Sequence, residues 1–215
     1  MLKVLLTGFG PFPGAPFNPT ASLVTLLASR RGARLPGVRV VAHVFSTSYA
    51  AVDRELPTLL AQENPAVILM FGVAGSTRHL RIETFARNAR SRRIEDAIGY
   101  LPTESVIEPN GPSLLRLRSP VAPLLAAARA AGIAAAVSHD AGDYLCNYLC
   151  WRASRIAEGP CRPRLVAFVH VPPVRPVLLP STRLHRPATL GDLVFAGESI
   201  LLAAITAAGI RSRVR

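Results

Sequence analysis

The sequence predicts an α/β layered fold with a largely parallel sheet, and three observations predict it. Short apolar runs that stop at glycine or a turn alternate with longer stretches of helical period, the order that builds a parallel sheet flanked by helices. The chain has 215 residues, half of them hydrophobic, enough for one domain that buries about 70% of its unfolded surface. Neither an internal repeat nor a linker composition divides it, so 1–215 reads as a single domain.

The elements follow in order. Leu2–Thr7 is a short apolar strand stopped by Gly8. A Pro- and Gly-rich loop, Gly8 to Pro19, leads to a helix capped by Thr20 and running to about Ser29, with Leu23, Leu26 and Leu27 on one face. Val38–Phe45 is a second strand. Ser48 caps a helix to about Gln62, in which Pro57 predicts a kink or a late start. Ala66–Phe71 is a third strand, ended by Gly72. His79–Ala86 has partial period-2 alternation through Leu80 and Ile82 and reads as a strand or extended segment. Residues 89–118 read as irregular, with turn signals at Asn110-Gly111-Pro112. Val121–Ala131 is an alanine-rich helix, Ile133–Val137 a strand, Asp143–Glu158 a helix ended by Gly159-Pro160, and Leu165–Val171 a strand. Residues 172–188 form a Pro-rich loop, and Thr189 or Asp192 opens a last helix to about Ala208.

Composition excludes several classes. The formal charge is +12, and Lys3 is the single lysine, so the excess is arginine. Arg78, Arg81, Arg87, Arg90, Arg92 and Arg93 cluster in sequence, but no nucleic-acid motif accompanies them, and the cluster reads as a solvated surface. No run reaches the roughly 18–20 apolar residues of a membrane span, and Val4-Leu5-Leu6 is too short for a signal-peptide core, so a cytoplasmic protein is expected. Three cysteines, Cys146, Cys150 and Cys161, are an odd count that argues against a disulfide framework and raises metal binding or nucleophilic catalysis. A zinc set of Cys146, Cys150, Cys161 and His170 lacks paired close ligands on both sides of the spacing.

Topology brings two of these residues together. In a parallel βαβ unit over 133–171, Cys146 lies in the first turn of its helix and His170 at the end of the next strand, both at one sheet edge. A helix N-terminus favours a thiolate, an imidazole exchanges its proton, and free N–H groups can hold an oxyanion. Periodicity alone leaves the bland reading open: Cys146, Leu149, Cys150 and Ala153 also form an apolar stripe in which an inert thiol is common.

Four motifs then point one way. Ser138-His139-Asp140-Ala141-Gly142-Asp143-Tyr144-Leu145-Cys146-Asn147 resembles the nucleophile motif of pyroglutamyl-peptidase I, and Phe168-Val169-His170-Val171-Pro172 its histidine motif. Thr7-Gly8-Phe9-Gly10-Pro11-Phe12 with Asn18-Pro19-Thr20 is similar to its substrate loop. Gly72-Val73-Ala74-Gly75 leading to Ile82-Glu83 and Asn88 resembles the segment that holds its glutamate. The resemblance implies a cysteine exopeptidase that removes an N-terminal pyroglutamyl residue through a thioester, on a three-layer α/β/α sandwich with a mixed sheet. It implies Cys146 as nucleophile, His170 as base and Glu83 as the residue that orients the base. Phe9 and Phe12 become apolar walls for the lactam, Asn18 an organiser of the loop, Val73 part of the pocket, and Arg93 a group near the oxyanion. It implies no metal or organic cofactor, a peptide substrate with N-terminal pyroglutamate, and a homo-oligomer, dimer or tetramer. Departures at Ser76–His79, Thr84–Arg87 and Pro173–Pro176 surround the pocket and bear on substrate preference. Two alternatives differ in chemistry: a divergent thiol hydrolase acting on another small amide, and an Arg-rich binding protein on an inactivated scaffold.

Overall fold

Apolar side chains alternate along the central strands, and that alternation creates two cores, one on each face of the sheet. The structure, a computed structural model, describes residues 1–12, 15–31, 35–159, 163–174 and 188–209. Cys161 and most of the Pro-rich stretch 172–188, Arg175 and Pro176 included, lie outside the described residues. In chain order the elements are β1 (Leu2–Phe9), α1 (Pro19–Arg31), β2 (Val38–Phe45), α2 (Tyr49–Glu63), β3 (Val67–Val73), β4 (Leu80–Glu83), β5 (Phe85–Arg87), β6 (Leu114–Arg116), α3 (Val121–Ala130), β7 (Ala135–Ser138), α4 (Leu145–Glu158), β8 (Leu165–Val171) and α5 (Leu190–Ala207).

Six strands form one sheet in the order β2-β1-β3-β8-β4-β7. Val4 and Leu6 of β1, Leu69 and Phe71 of β3, and Ala167 and Val169 of β8 face one core with Leu23 and Leu27 of α1, Leu124 of α3 and Ile200 of α5. Leu5, Ile68, Met70 and Phe168 face the other with Val52 and Leu56 of α2 and Leu149 and Trp151 of α4. Strands covered on both faces read as near-continuous apolar runs, as β1, β3 and β8 do. The result is a three-layer α/β/α sandwich, in which each fully buried Leu, Ile or Phe contributes roughly 1.5–3 kcal/mol.

The sheet is mixed, and this corrects the βαβ argument. β1, β2, β3 and β8 are parallel, but β4 pairs antiparallel with β8 and parallel with β7. β7 and β8 therefore run in opposite directions, and the crossover through α4 is not a parallel unit. Register explains why Cys146 and His170 still meet. Arg81 pairs with both Ala136 on β7 and His170 on β8, and Glu83 with both Ser138 and Phe168, so β7 crosses the level of His170 at Ala136 and ends only two positions beyond it. Residues 139–144 bridge that small offset, turning at Gly142, whose φ is 84°.

Other boundaries move for local reasons. Gly72 does not end β3, which continues to Val73 because the Gly72 backbone pairs with His170. The start of α1 is capped by Asn18, not Thr20: the Asn18 Oδ1 accepts from the Thr20 N–H at 3.1 Å, with Pro19 as the first helical residue. Ser48 caps α2 by accepting from the Ala51 N–H, so the helix starts at once and runs through Pro57. α4 begins at Leu145, with extended Tyr144 before it, which keeps Cys146 in the first turn. Within the stretch read as irregular, β6 pairs antiparallel with β5, a three-residue ribbon too short to leave a periodic signal. α5 opens with a capping box between Thr189 and Asp192. By length and composition α5 is apolar enough to cross a membrane, contrary to the expectation from apolar runs, yet Leu193, Ile200, Leu201 and Ala204 on it are buried in the first core.

Candidate active site

Strand parity brings the site together. On β8, Val169 and Val171 face the core of α1, α3 and α5, so His170 faces α4. On β4, Leu80 and Ile82 face that same first core, so Arg81 and Glu83 face α4 as well. His170 is the Cα partner of Gly72 on one side and of Arg81 on the other. α4 lies over this face and presents Cys146 from its first turn.

The contacts are specific. His170 Nδ1 donates to Glu83 Oε1 at 2.7 Å, with Glu83 fully buried and His170 4% exposed. That bond leaves Nε2 for the Cys146 side chain, which acts on the imidazole from the first turn of α4. Burial lowers the His170 pKa, but the negative charge of Cys146, its hydrogen bond, and Glu83 together outweigh it and raise His170 from 6.5 to about 9. The Phe168 ring meets His170 edge-on at 4.9 Å and limits its rotation. The imidazole is thus held as imidazolium beside a cysteine, the two groups that nucleophilic thiol chemistry uses together.

The end of α4 adds positive potential. Its N-cap residue Tyr144 makes no side-chain capping hydrogen bond, unlike Ser48 on α2 and Thr189 on α5. The first-turn N–H groups of α4 are therefore left for a thiolate or an oxyanion. Asn147, the next residue, is fully buried and clamps the chain after β5: its amide donates to the carbonyls of Arg87 and Ala89 and accepts from the Arg87 N–H. Gly72 makes room for the thiol, since a Cβ there would lie 2.6 Å from Cys146 Sγ and 2.6 Å from Phe168 Cζ.

The remaining expected residues spread around this group. Asn18 is buried and ties the loop to α1, donating to the Gly10 carbonyl at 3.1 Å and accepting from the Thr20 hydroxyl at 2.8 Å. Gly8 permits this closure, because a Cβ there would sit 2.7 Å from the Thr20 carbonyl oxygen. Phe12 is partly exposed with its ring 6.1 Å from Tyr144, two residues before Cys146. Phe9 is buried against Phe45 in the core. Val73 closes β3 beside Gly72, paired with Val171. Arg93 is exposed, and its guanidinium makes no hydrogen bond or ion pair among the described residues; only its N–H is bonded, to Ser91 Oγ. The arginine cluster is not one face: Arg81 turns onto Glu83, Arg87 onto Asp140 and the Gly142 carbonyl, and Arg90 onto the Glu104 carbonyl.

Sequence reasoning missed Arg81, Gly72 and Phe168. The alternation of Leu80 and Ile82 already placed Arg81 on the Glu83 face, whereas the closeness of Gly72 and Phe168 to the thiol depends on tertiary packing. Cys150 is fully buried, and burial pushes its thiol well above the ordinary range. Among the described residues no group of three His, Cys, Asp or Glu side chains could hold a metal.

Comparison with known proteins points to one family. The model of the pyroglutamyl peptidase family matches residues 2–208. The pyrrolidone-carboxylate peptidase of Gloeobacter violaceus is 34% identical over 171 residues, covering 80% of this chain and 82% of that protein. Its Yersinia pestis counterpart is 30% identical over 203 residues, covering 94% and 89%. Among solved structures, the pyrrolidone carboxyl peptidase of Thermococcus litoralis superposes with a TM-score of 0.84 at 28% identity, covering 96% of this chain and 94% of that one. Pyroglutamyl peptidase I of Bacillus amyloliquefaciens gives 0.82 at 28% identity, covering 98% of both. The chain belongs to the pyroglutamyl peptidase family.

Proposed function

We propose that this protein is a cysteine exopeptidase that hydrolyses an N-terminal pyroglutamyl group from peptides. The observation that carries the proposal is the single imidazole, His170, held between the Glu83 carboxylate and the Cys146 thiol. In the proposed mechanism the Cys146 thiolate adds to the pyroglutamyl carbonyl carbon, and the oxyanion forms at the open N–H groups of α4. The C–N bond breaks as the departing amine takes the Nε2 proton of His170, leaving a pyroglutamyl thioester and a neutral imidazole. Water then adds to the thioester and gives its proton to Nε2. The C–S bond breaks, releasing pyroglutamate and restoring the thiolate–imidazolium pair. Glu83 keeps one tautomer and one ring orientation throughout. No step calls for a metal or organic cofactor.

The partly exposed Phe12 ring serves as an apolar wall for the flat lactam. Phe9 and Asn18 act from behind it, by packing and by hydrogen bonds, and Val73 borders the mouth of the pocket. Arg93 is assigned the oxyanion side of the pocket, where a guanidinium would stabilise developing negative charge. The reading extends to a cytoplasmic homo-oligomer, dimer or tetramer, which sedimentation of the purified chain measures.

A panel of fluorogenic amides tests the substrate. The pyroglutamyl amide is expected to turn over faster than prolyl, alanyl and acetyl amides. Faster turnover of a non-lactam amide replaces the proposal with a divergent thiol hydrolase, and no turnover of any amide with salt-sensitive polyanion binding replaces it with a binding protein.

A further inference from the structure

Glu83 is fully buried, and its two oxygens are used unequally. Oε1 accepts from His170 Nδ1 at 2.7 Å and also from Arg81, whose Nε lies at 3.2 Å and whose terminal NH2 lies at 3.1 Å. Oε2 is buried with no hydrogen-bond partner among the described residues. The same Arg81 terminal nitrogen reaches Ser138 Oγ at 3.0 Å and the Asp140 carbonyl. One guanidinium therefore joins the glutamate to the segment that leads into α4 and Cys146.

A buried carboxylate needs a cation, because desolvation penalises its charge in the absence of a partner. While His170 is imidazolium, it supplies that charge. After it protonates the leaving amine it is neutral, and Glu83 would then be a lone anion with one oxygen already unsatisfied. The Arg81 guanidinium is the second cation on this carboxylate. The titratable and charged groups facing the His170–Glu83 pair are Cys146 and Cys150 from α4 and Arg81 from β4.

We propose that Arg81 is a positioning residue for the reaction: it holds Glu83 in place and supplies the cation that lets His170 give up its proton to the leaving group and take one from water. This rests on the proposed peptidase mechanism, but its first consequence is measurable without substrate. Take away the guanidinium and the His170–Glu83 pair keeps its proton to higher pH.

The test is the pH titration of the His170 ring followed by NMR in wild type, Arg81→Met and Arg81→Lys, with thermal unfolding recorded for each. Arg81→Met is expected to move the His170 midpoint up by about one pH unit, the size of effect a charge within a few ångströms produces. Arg81→Lys, which keeps the charge but not the fork, is expected to stay close to wild type in midpoint while losing turnover. An unchanged or lowered midpoint in Arg81→Met overturns the proposal and leaves Arg81 as a structural tie of β4 to residues 138–140. If Arg81→Met does not fold, Arg81→Gln, which keeps a hydrogen-bond donor but not the charge, decides: a raised midpoint supports the proposal, and an unchanged or lowered one overturns it. Failure of the amide panel in wild type would remove the peptidase reading without altering these midpoints.

Discussion

Glu83 Oε1 lies 2.7 Å from His170 Nδ1, and both side chains are shut away from water. A bond so placed fixes the imidazole tautomer with Nε2 toward Cys146. Glu83→Gln keeps the size and an acceptor but removes the charge. Turnover of a pyroglutamyl amide is expected to fall by about 10²–10⁴-fold, the range seen when the orienting carboxylate or the acid–base step is lost. Steady-state kinetics checks this, and a loss of less than about threefold would contradict the orienting role.

The pH profile follows from His170. Its ordinary value of 6.5 is raised to about 9, with burial opposing the shift and Cys146 and Glu83 producing it. The imidazolium that protonates the leaving amine persists below pH 9, so kcat/KM is expected to fall as pH rises through about 9. Stability follows the same group. Its contribution is complete below about 6.5 and is lost as pH rises through about 9, so the thermal midpoint should decline across that window. A scan of both quantities against pH gives the result.

Two cysteines on one helix offer an internal control. Cys146 is partly exposed beside His170, whereas Cys150 is fully buried with its thiol pushed well up by desolvation. Iodoacetamide near neutral pH is expected to label Cys146 well before Cys150, read by peptide mapping. Equal rates would remove the case for an activated thiol.

Gly72 is expected to tolerate no side chain. In Gly72→Ala the new Cβ meets Cys146 Sγ and the fully buried Phe168 ring, each 2.6 Å away, so one of them must shift. Displacing the thiol by a fraction of an ångström to 1 Å should lower kcat/KM by up to about 100-fold. Overpacking should cost about 1–3 kcal/mol of stability as well. Kinetics and denaturant unfolding of the variant measure the two effects separately.

Much of this was legible in the residues. Val38–Phe45 and Leu165–Val171 are strands over the residues their apolar runs mark, and Ser48 caps its helix, because those signals are local. Strand direction was not legible. β4 and β7 are short, and nothing in Leu80–Glu83 or Ala135–Ser138 distinguishes parallel from antiparallel pairing. Gly72 misled for a similar reason. As a local signal it ends a strand, while its use here, leaving space for a thiol from another element, exists only in the folded chain. Cys146 and His170 were found together by motif, whereas their placement at one sheet edge assumed a parallel β7–β8 unit that the sheet does not contain. Arg81 escaped because it was read as one member of a charged run, although the apolar residues beside it, Leu80 and Ile82, already set the face it shares with Glu83.

The central claim is that Cys146 attacks the pyroglutamyl carbonyl. The most direct measurement is the rate of fluorophore release from a pyroglutamyl amide by wild type and by Cys146→Ala at equal concentration, with both proteins shown to be folded. The account predicts a loss of at least about 10³-fold in the variant, in line with removal of a nucleophile that works as a unit with its base. A wild-type rate no faster than that of Cys146→Ala would contradict it.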